Sequence, residues 1–191
     1  MASTASFHVY FAILWMALTV VPFLIIEERQ TKTMDALMVS PASPGQVVLG
    51  KAMAGLIFII AIAGLSLALN GIYITLWGWA LFGFLITALF AIGLALLLGS
   101  VIRNPQQITL WMLPVALIFV IPAFFADEPN LAVGLKSILA WLPSTAFAKV
   151  FGFSVSSGAP INSVILNLSI ALASLALVYA ILIWQLRRAD R

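Results

Sequence analysis

Residues 45–52, GQVVLGKA, are the nearest approach in this chain to a chemical motif. They follow the phosphate-binding loop G-x-x-x-x-G-K-[ST], in which backbone N–H groups cradle phosphate, the lysine reaches its oxygens and the final hydroxyl holds Mg²⁺. The last position fails, because Ala52 has no hydroxyl, and nothing upstream reads as a buried strand. Only six acidic residues occur, and none ends an apolar strand where a second metal ligand would sit. Gly50 and Lys51 fit better as the start of a membrane span, with Lys51 extending to the headgroups. Cysteine is absent, so thiolate chemistry and disulfides are excluded. The single histidine, His8, lies at the outer end of an apolar run, where capping or headgroup contact is its ordinary role. No catalytic residue, metal site or cofactor is expected on this chain.

The octapeptide belongs to a longer anomaly. Residues 27–52, EERQTKTMDALMVSPASPGQVVLGKA, hold six of the fifteen charged residues of a 191-residue chain. Long apolar runs flank the stretch on both sides. Within it, Met34, Leu37 and Met38 fall at i, i+3 and i+4, one face of a short helix, with Lys32 and Asp35 off that face. Thr33 suits the N-cap, and Ser40–Pro41 ends the helix. Two turns of helix are not stable alone in water, so residues 31–40 must lie against something. Exposed methionine and leucine rimmed by charge suit an adaptable protein contact. An interfacial helix that merely anchors the loop is the plainer reading.

The elements that hold this stretch follow from composition. The chain is 64% hydrophobic and 8% charged, against about 25% charged in soluble domains. A globule of this size cannot hide so much apolar surface, so the solvent is lipid. Residues 1–26, 52–102, 104–126 and 150–186 contain no Asp, Glu, Lys or Arg, and a span needs about 20 apolar residues. The fold class is an all-α integral membrane protein, a single transmembrane domain over residues 1–191. Its expected spans are 7–26, 52–70, 79–102, 108–126 and 161–186. Asn70–Gly71 breaks the longest apolar run, and Tyr73, Trp77 and Trp79 suit an aromatic belt there. The N-terminus lacks the basic region of a cleavable signal peptide, so the first run is expected to be retained.

Lysine and arginine set the orientation. Arg29, Lys32, Lys51, Arg103, Arg187, Arg188 and Arg191 fall on one side of the five-span arrangement, and Lys136 and Lys149 on the other. The C-terminus and the charged stretch are therefore expected in the cytoplasm and the N-terminus outside. The modest net charge of +3 does not point to nucleic acid. Residues 129–159 are apolar but interrupted by Lys136, Pro143 and Lys149, so neither half can span. Non-spanning backbone in lipid must be helical or buried in protein. This segment reads as two short re-entrant helices on the outer side.

An apolar span, then this charged stretch, then another span resembles the ABC-2 family of ABC transporter permeases. The matching residues are Glu27–Glu28 at the exit from a span, Thr33–Met34–Asp35–Ala36–Leu37 in the helix, Ser40–Pro41, and Gly50–Lys51 opening the next span. RNPQQ at 103–107 is similar to the family's cytoplasmic turn, and WLPSTAFAKVF at 141–151 to its external Leu-Pro segment. The resemblance implies a non-catalytic subunit of an ATP-driven exporter in a prokaryotic cell membrane. It implies a dimer with a second permease copy or paralogue, and a cytoplasmic ABC ATPase that carries ATP and Mg²⁺. Residues 27–41 would then be the coupling helix, with Glu27, Glu28, Arg29, Thr33, Met34, Asp35, Leu37, Met38, Ser40 and Pro41 at the ATPase contact. Family members usually have six spans, so the resemblance also leaves room for another chain supplying a first helix. A membrane scaffold that recruits a cytoplasmic partner through the same helix stays open.

No charged residue falls mid-span, which argues against ion-coupled transport. Thr87, Thr109, Asn162 and Asn167, with Ser169, are candidate pathway lining, although each could bond a neighbouring helix instead. Ala91, Ala95 and Gly99, and likewise Ala176 and Ala180, recur at four-residue spacing that permits close helix contact. Pro114 and Pro122 free backbone groups in the fourth span.

Overall fold

The structure, a computed structural model, describes residues 2–189 except 25, 27–43, 103, 126–127, 129 and 156–157. Among these, the regular elements are all helical. They are α1 (Ala2–Val20), α2 (Pro44–Leu69), a 3-10 turn (Gly71–Tyr73), α3 (Trp77–Val101), α4 (Pro105–Phe125), α5 (Val133–Ala140), α6 (Pro143–Gly152) and α7 (Ile161–Ala189). Among the described residues, four helical stretches are long and apolar enough to cross a bilayer: Val48–Leu69, Trp77–Val101, Gln106–Phe125 and Ile161–Gln185. The apolar helix Thr4–Val20 is shorter.

Two expected boundaries shift. The first run does not continue as one helix to residue 26, because Pro22 cannot donate a backbone hydrogen bond. The chain tightens instead, with Leu24 N–H donating to Val21 O at 3.1 Å. The second helix begins at Pro44 rather than near 52. Proline is well placed at a first helical position, and Val48 and Ala52 are buried, which draws the first turns of α2 into the protein.

Helix α3 is the axis of the bundle. It packs against α1, α2, α6 and α7, and its buried residues run from Ala80 to Ser100. In lipid, apolar helices gain little by hiding from their solvent, so close van der Waals packing must hold them together. The glycines of α3 supply it. A Cβ on Gly83 would lie 3.2 Å from the Phe151 Cα, one on Gly93 2.8 Å from the Tyr179 ring, and one on Gly99 2.7 Å from the Pro22 carbonyl oxygen. Ala91 and Ala95 are fully buried on the same helix. Ala176 and Ala180, which share the spacing, face outward on α7 instead.

The segment before the last span forms two short helices. α5 has no buried residue, whereas α6 is mostly buried, packing on α1, α3, α4 and α7. Phe147 stacks on Phe90 with centroids 4.4 Å apart. Phe90 lies thirteen residues into α3, or ~20 Å from its start at helical rise, so α6 reaches the middle of the bundle. It then runs past Gly83 toward the start of α3. There the Ser154 carbonyl accepts from Thr75 N–H at 2.9 Å, Leu76 N–H at 3.0 Å and the Thr75 hydroxyl at 2.9 Å. Thr145 adds a side-chain contact to the turn between the two helices. Its hydroxyl lies 2.6 Å from Leu139 O and 2.8 Å from Leu142 O, carbonyls that already accept from Leu142 N–H and Ala146 N–H.

Candidate functional site

The residues expected at the ATPase contact, Glu27, Glu28, Arg29, Thr33, Met34, Asp35, Leu37, Met38, Ser40 and Pro41, lie outside the described residues. The structure does describe what holds both ends of that stretch. On the near side, Ile26 is buried against Ile102 and Ile108, with Leu98 packed on them. These residues join the end of the first helical run to both sides of the RNPQQ turn. On the far side, Lys51 is buried and its ammonium donates to the Leu24 carbonyl oxygen at 3.2 Å. Lys51 therefore does not extend to headgroups. A backbone carbonyl within hydrogen-bond reach and shielded from water is a better destination for a nearby ammonium.

Two further contacts complete this end of the bundle. Gly99 lets the backbone of Pro22 lie directly on α3. Ser100, in the last turn of α3, sits 3.1 Å from the Gln185 side-chain oxygen of α7 and donates to Leu97 O at 2.7 Å. Asn104 then starts α4: its side-chain oxygen accepts from Gln106 N–H at 3.0 Å, with Pro105 as the first helical residue. An Asn before a Pro at a helix start is a signature readable from sequence. The Lys51 and Ser100 contacts had no such signal, because each joins helices far apart in the chain.

The candidate lining residues do not converge. Thr109 is exposed near the start of α4, and Asn162 is exposed at the start of α7. Asn167 is buried, and its amide donates to Ser163 O in its own helix at 2.7 Å. Ser169 likewise turns back, to Leu166 O at 2.8 Å. Thr87 is different. It is 2% exposed in the middle of α3, and its hydroxyl has no hydrogen-bond partner.

Two tyrosines bind the helices at mid-depth. Tyr10 of α1 donates to Phe119 O of α4 at 3.2 Å, one residue from the Ile118 carbonyl that Pro122 cannot serve. Tyr179 of α7 donates to Leu89 O of α3 at 3.0 Å. Tyrosine is expected at membrane interfaces, so the sequence did not mark either as a bundle fastener.

The described residues form a helical bundle with two short helices before the last long one, buried contacts on either side of residues 27–43, and few polar groups inside. A sequence profile described as ABC-2 family transporter protein matches residues 2–184. The chain belongs to the ABC-2 transporter family. No curated protein matches it. As an ABC-2 family protein it is a multi-pass membrane component of a transporter, and the match runs through all seven helices described above. Among the described residues, no group of three or more His, Cys, Asp or Glu could hold a metal ion.

Proposed function

We propose that this chain is the membrane-spanning permease subunit of an ATP-driven exporter in a prokaryotic cell membrane. A separate cytoplasmic ATPase binds residues 27–41 and drives the helices through them, and two permease units assemble per transporter. The arginine-rich end of the bundle faces the cytoplasm, as the distribution of lysine and arginine favours. The observation that carries this reading is the frame around the charged stretch. Its two ends are tied to one another through Lys51 and Leu24, and to the α3–α4 turn through Ile26, Ile102 and Ile108. A push on the stretch would reach α1, α2, α3 and α4 together, as a mechanical joint requires. Thr87, the buried hydroxyl without a partner, is the residue we assign to the translocation pathway.

The test is ATP hydrolysis by an ABC ATPase encoded beside this gene, reconstituted in lipid with and without the chain. Turnover should respond to the chain, and Leu37→Asp with Met38→Asp should abolish the response while leaving the helical content intact. Association without any change in turnover would make the chain a membrane anchor for its partner. Absence of association would overturn the reading.

A further inference from the structure

A lateral groove of about 380 Å³ lies between α2 and α7, over α3. Leu49 and Ala52 form one wall, Leu172, Ala176 and Ile183 the other, and Leu89 the floor. It opens sideways, since Leu49, Leu172 and Ala176 are exposed. Tyr179 carries the only side-chain polar atom among its lining residues, and that hydroxyl is engaged with Leu89 O. The groove thus offers nothing to a polar ligand.

Length and charge narrow the occupant. Leu172 to Ile183 covers ~16 Å at helical rise, about half of the ~30 Å hydrocarbon core, or one leaflet. A helix of that length and ~10 Å diameter occupies ~1,250 Å³, more than three times the groove's about 380 Å³. A hydrocarbon chain is the slimmer fit. The stripe Leu172, Ala176, Tyr179, Ile183 continues at helical spacing to Arg187, which is exposed one turn beyond the groove. Arg188 is exposed beside it, its guanidinium 4.8 Å above the Trp184 ring. An apolar trough one leaflet deep therefore ends at two cations.

We propose that this groove holds one acyl chain of an anionic phospholipid from the leaflet at the arginine-bearing end, with Arg187 and Arg188 on its phosphate. The groove supplies affinity for the tail, and the arginines supply selectivity for negative headgroups. The proposal concerns a lipid held by the bundle and is independent of what the transporter moves.

The experiment is native mass spectrometry of the purified full chain equilibrated with equimolar phosphatidylglycerol and phosphatidylcholine. One retained lipid per chain is expected, with phosphatidylglycerol in excess. Arg187→Gln with Arg188→Gln should lower that excess by roughly 25-fold, about 5-fold per arginine, without emptying the groove. Ala176→Phe should lower the total lipid retained, and Leu172→Trp, at another exposed position, repeats that test if the first variant fails to insert. Equal retention of both lipids by the parent protein would overturn the proposal. So would an unchanged excess in the arginine variant, or a groove variant that alters subunit number while its lipid count stays the same.

Discussion

The Lys51 ammonium donates to the Leu24 carbonyl oxygen at 3.2 Å, and so closes the gap between the two helical runs that bracket residues 27–43. The pair is mostly shielded, Lys51 being 8% exposed. A hydrogen bond to a charged group contributes ~1.5–3 kcal/mol. Lys51→Met keeps the length and apolar stem of the side chain but removes the donor. It should lower stability by about that amount in detergent denaturation. It should also weaken the ATPase response to the chain more than a Met substitution at exposed Asn162 does. Equal effects of the two variants on that response would mean the clasp transmits nothing.

Gly93 and Tyr179 make a second checkable pair. The Tyr179 ring occupies the space a Cβ on Gly93 would need, at 2.8 Å, with the Val178 methyl at 2.9 Å. Gly93 lies one helical turn after Leu89, whose carbonyl the Tyr179 hydroxyl reaches. Gly93→Ala should push the ring away and destabilise the bundle by ~1–3 kcal/mol, the usual cost of overpacking. Gly64→Ala is the control, because a Cβ there meets nothing within 4 Å; it should be neutral or slightly stabilising, since alanine is the better helix former. Thermal denaturation of the two variants side by side decides it.

These pairs mark where reading the sequence stops. Charge-free intervals located the long helices, because charge is costly in lipid wherever the partner lies. Lys136, Pro143 and Lys149 likewise showed that 129–159 could not span, and two short helices formed there. Which helix meets which is another matter. Ala91, Ala95 and Gly99 share their spacing with Ala176 and Ala180, yet the first set is buried and the second faces outward. Spacing states that a close approach is allowed and says nothing about what approaches. Lys51 failed for a related reason: its acceptor, the Leu24 carbonyl, is a backbone atom and carries no residue-type signal. The residues expected to contact the ATPase fall outside the described residues, so the structure bears on that part of the site only through its two ends.

Thr87 separates stability from transport. Its buried hydroxyl has no partner, and an unsatisfied buried polar group costs ~1–3 kcal/mol. Thr87→Val has nearly the same shape without the hydroxyl, and should raise stability by up to about that amount. If the hydroxyl serves the pathway, export should fall in the same variant even as the protein becomes harder to denature. A transport assay in vesicles, once a cargo is in hand, and a melting curve would be read together. A stabilised variant that transports normally would remove Thr87 from the pathway and leave an ordinary packing defect.

Thr145 shows the opposite balance. Its hydroxyl lies 2.6 Å from Leu139 O and 2.8 Å from Leu142 O, and the residue is fully buried. Thr145→Val removes that donor, while the two carbonyls keep Leu142 N–H and Ala146 N–H as backbone partners. The expected loss is ~0.5–1.5 kcal/mol, the net worth of one hydrogen bond, and it should loosen the α5–α6 turn before it unfolds the bundle. Thr145→Ser, which restores the donor and loses only a methyl group, should recover most of the loss. Hydrogen exchange at residues 139–146, followed in both variants, checks the local character of the effect. Faster exchange there in Thr145→Val but not in Thr145→Ser would assign the stabilisation to the hydroxyl. Equal acceleration in both would assign it to the packing of the methyl group.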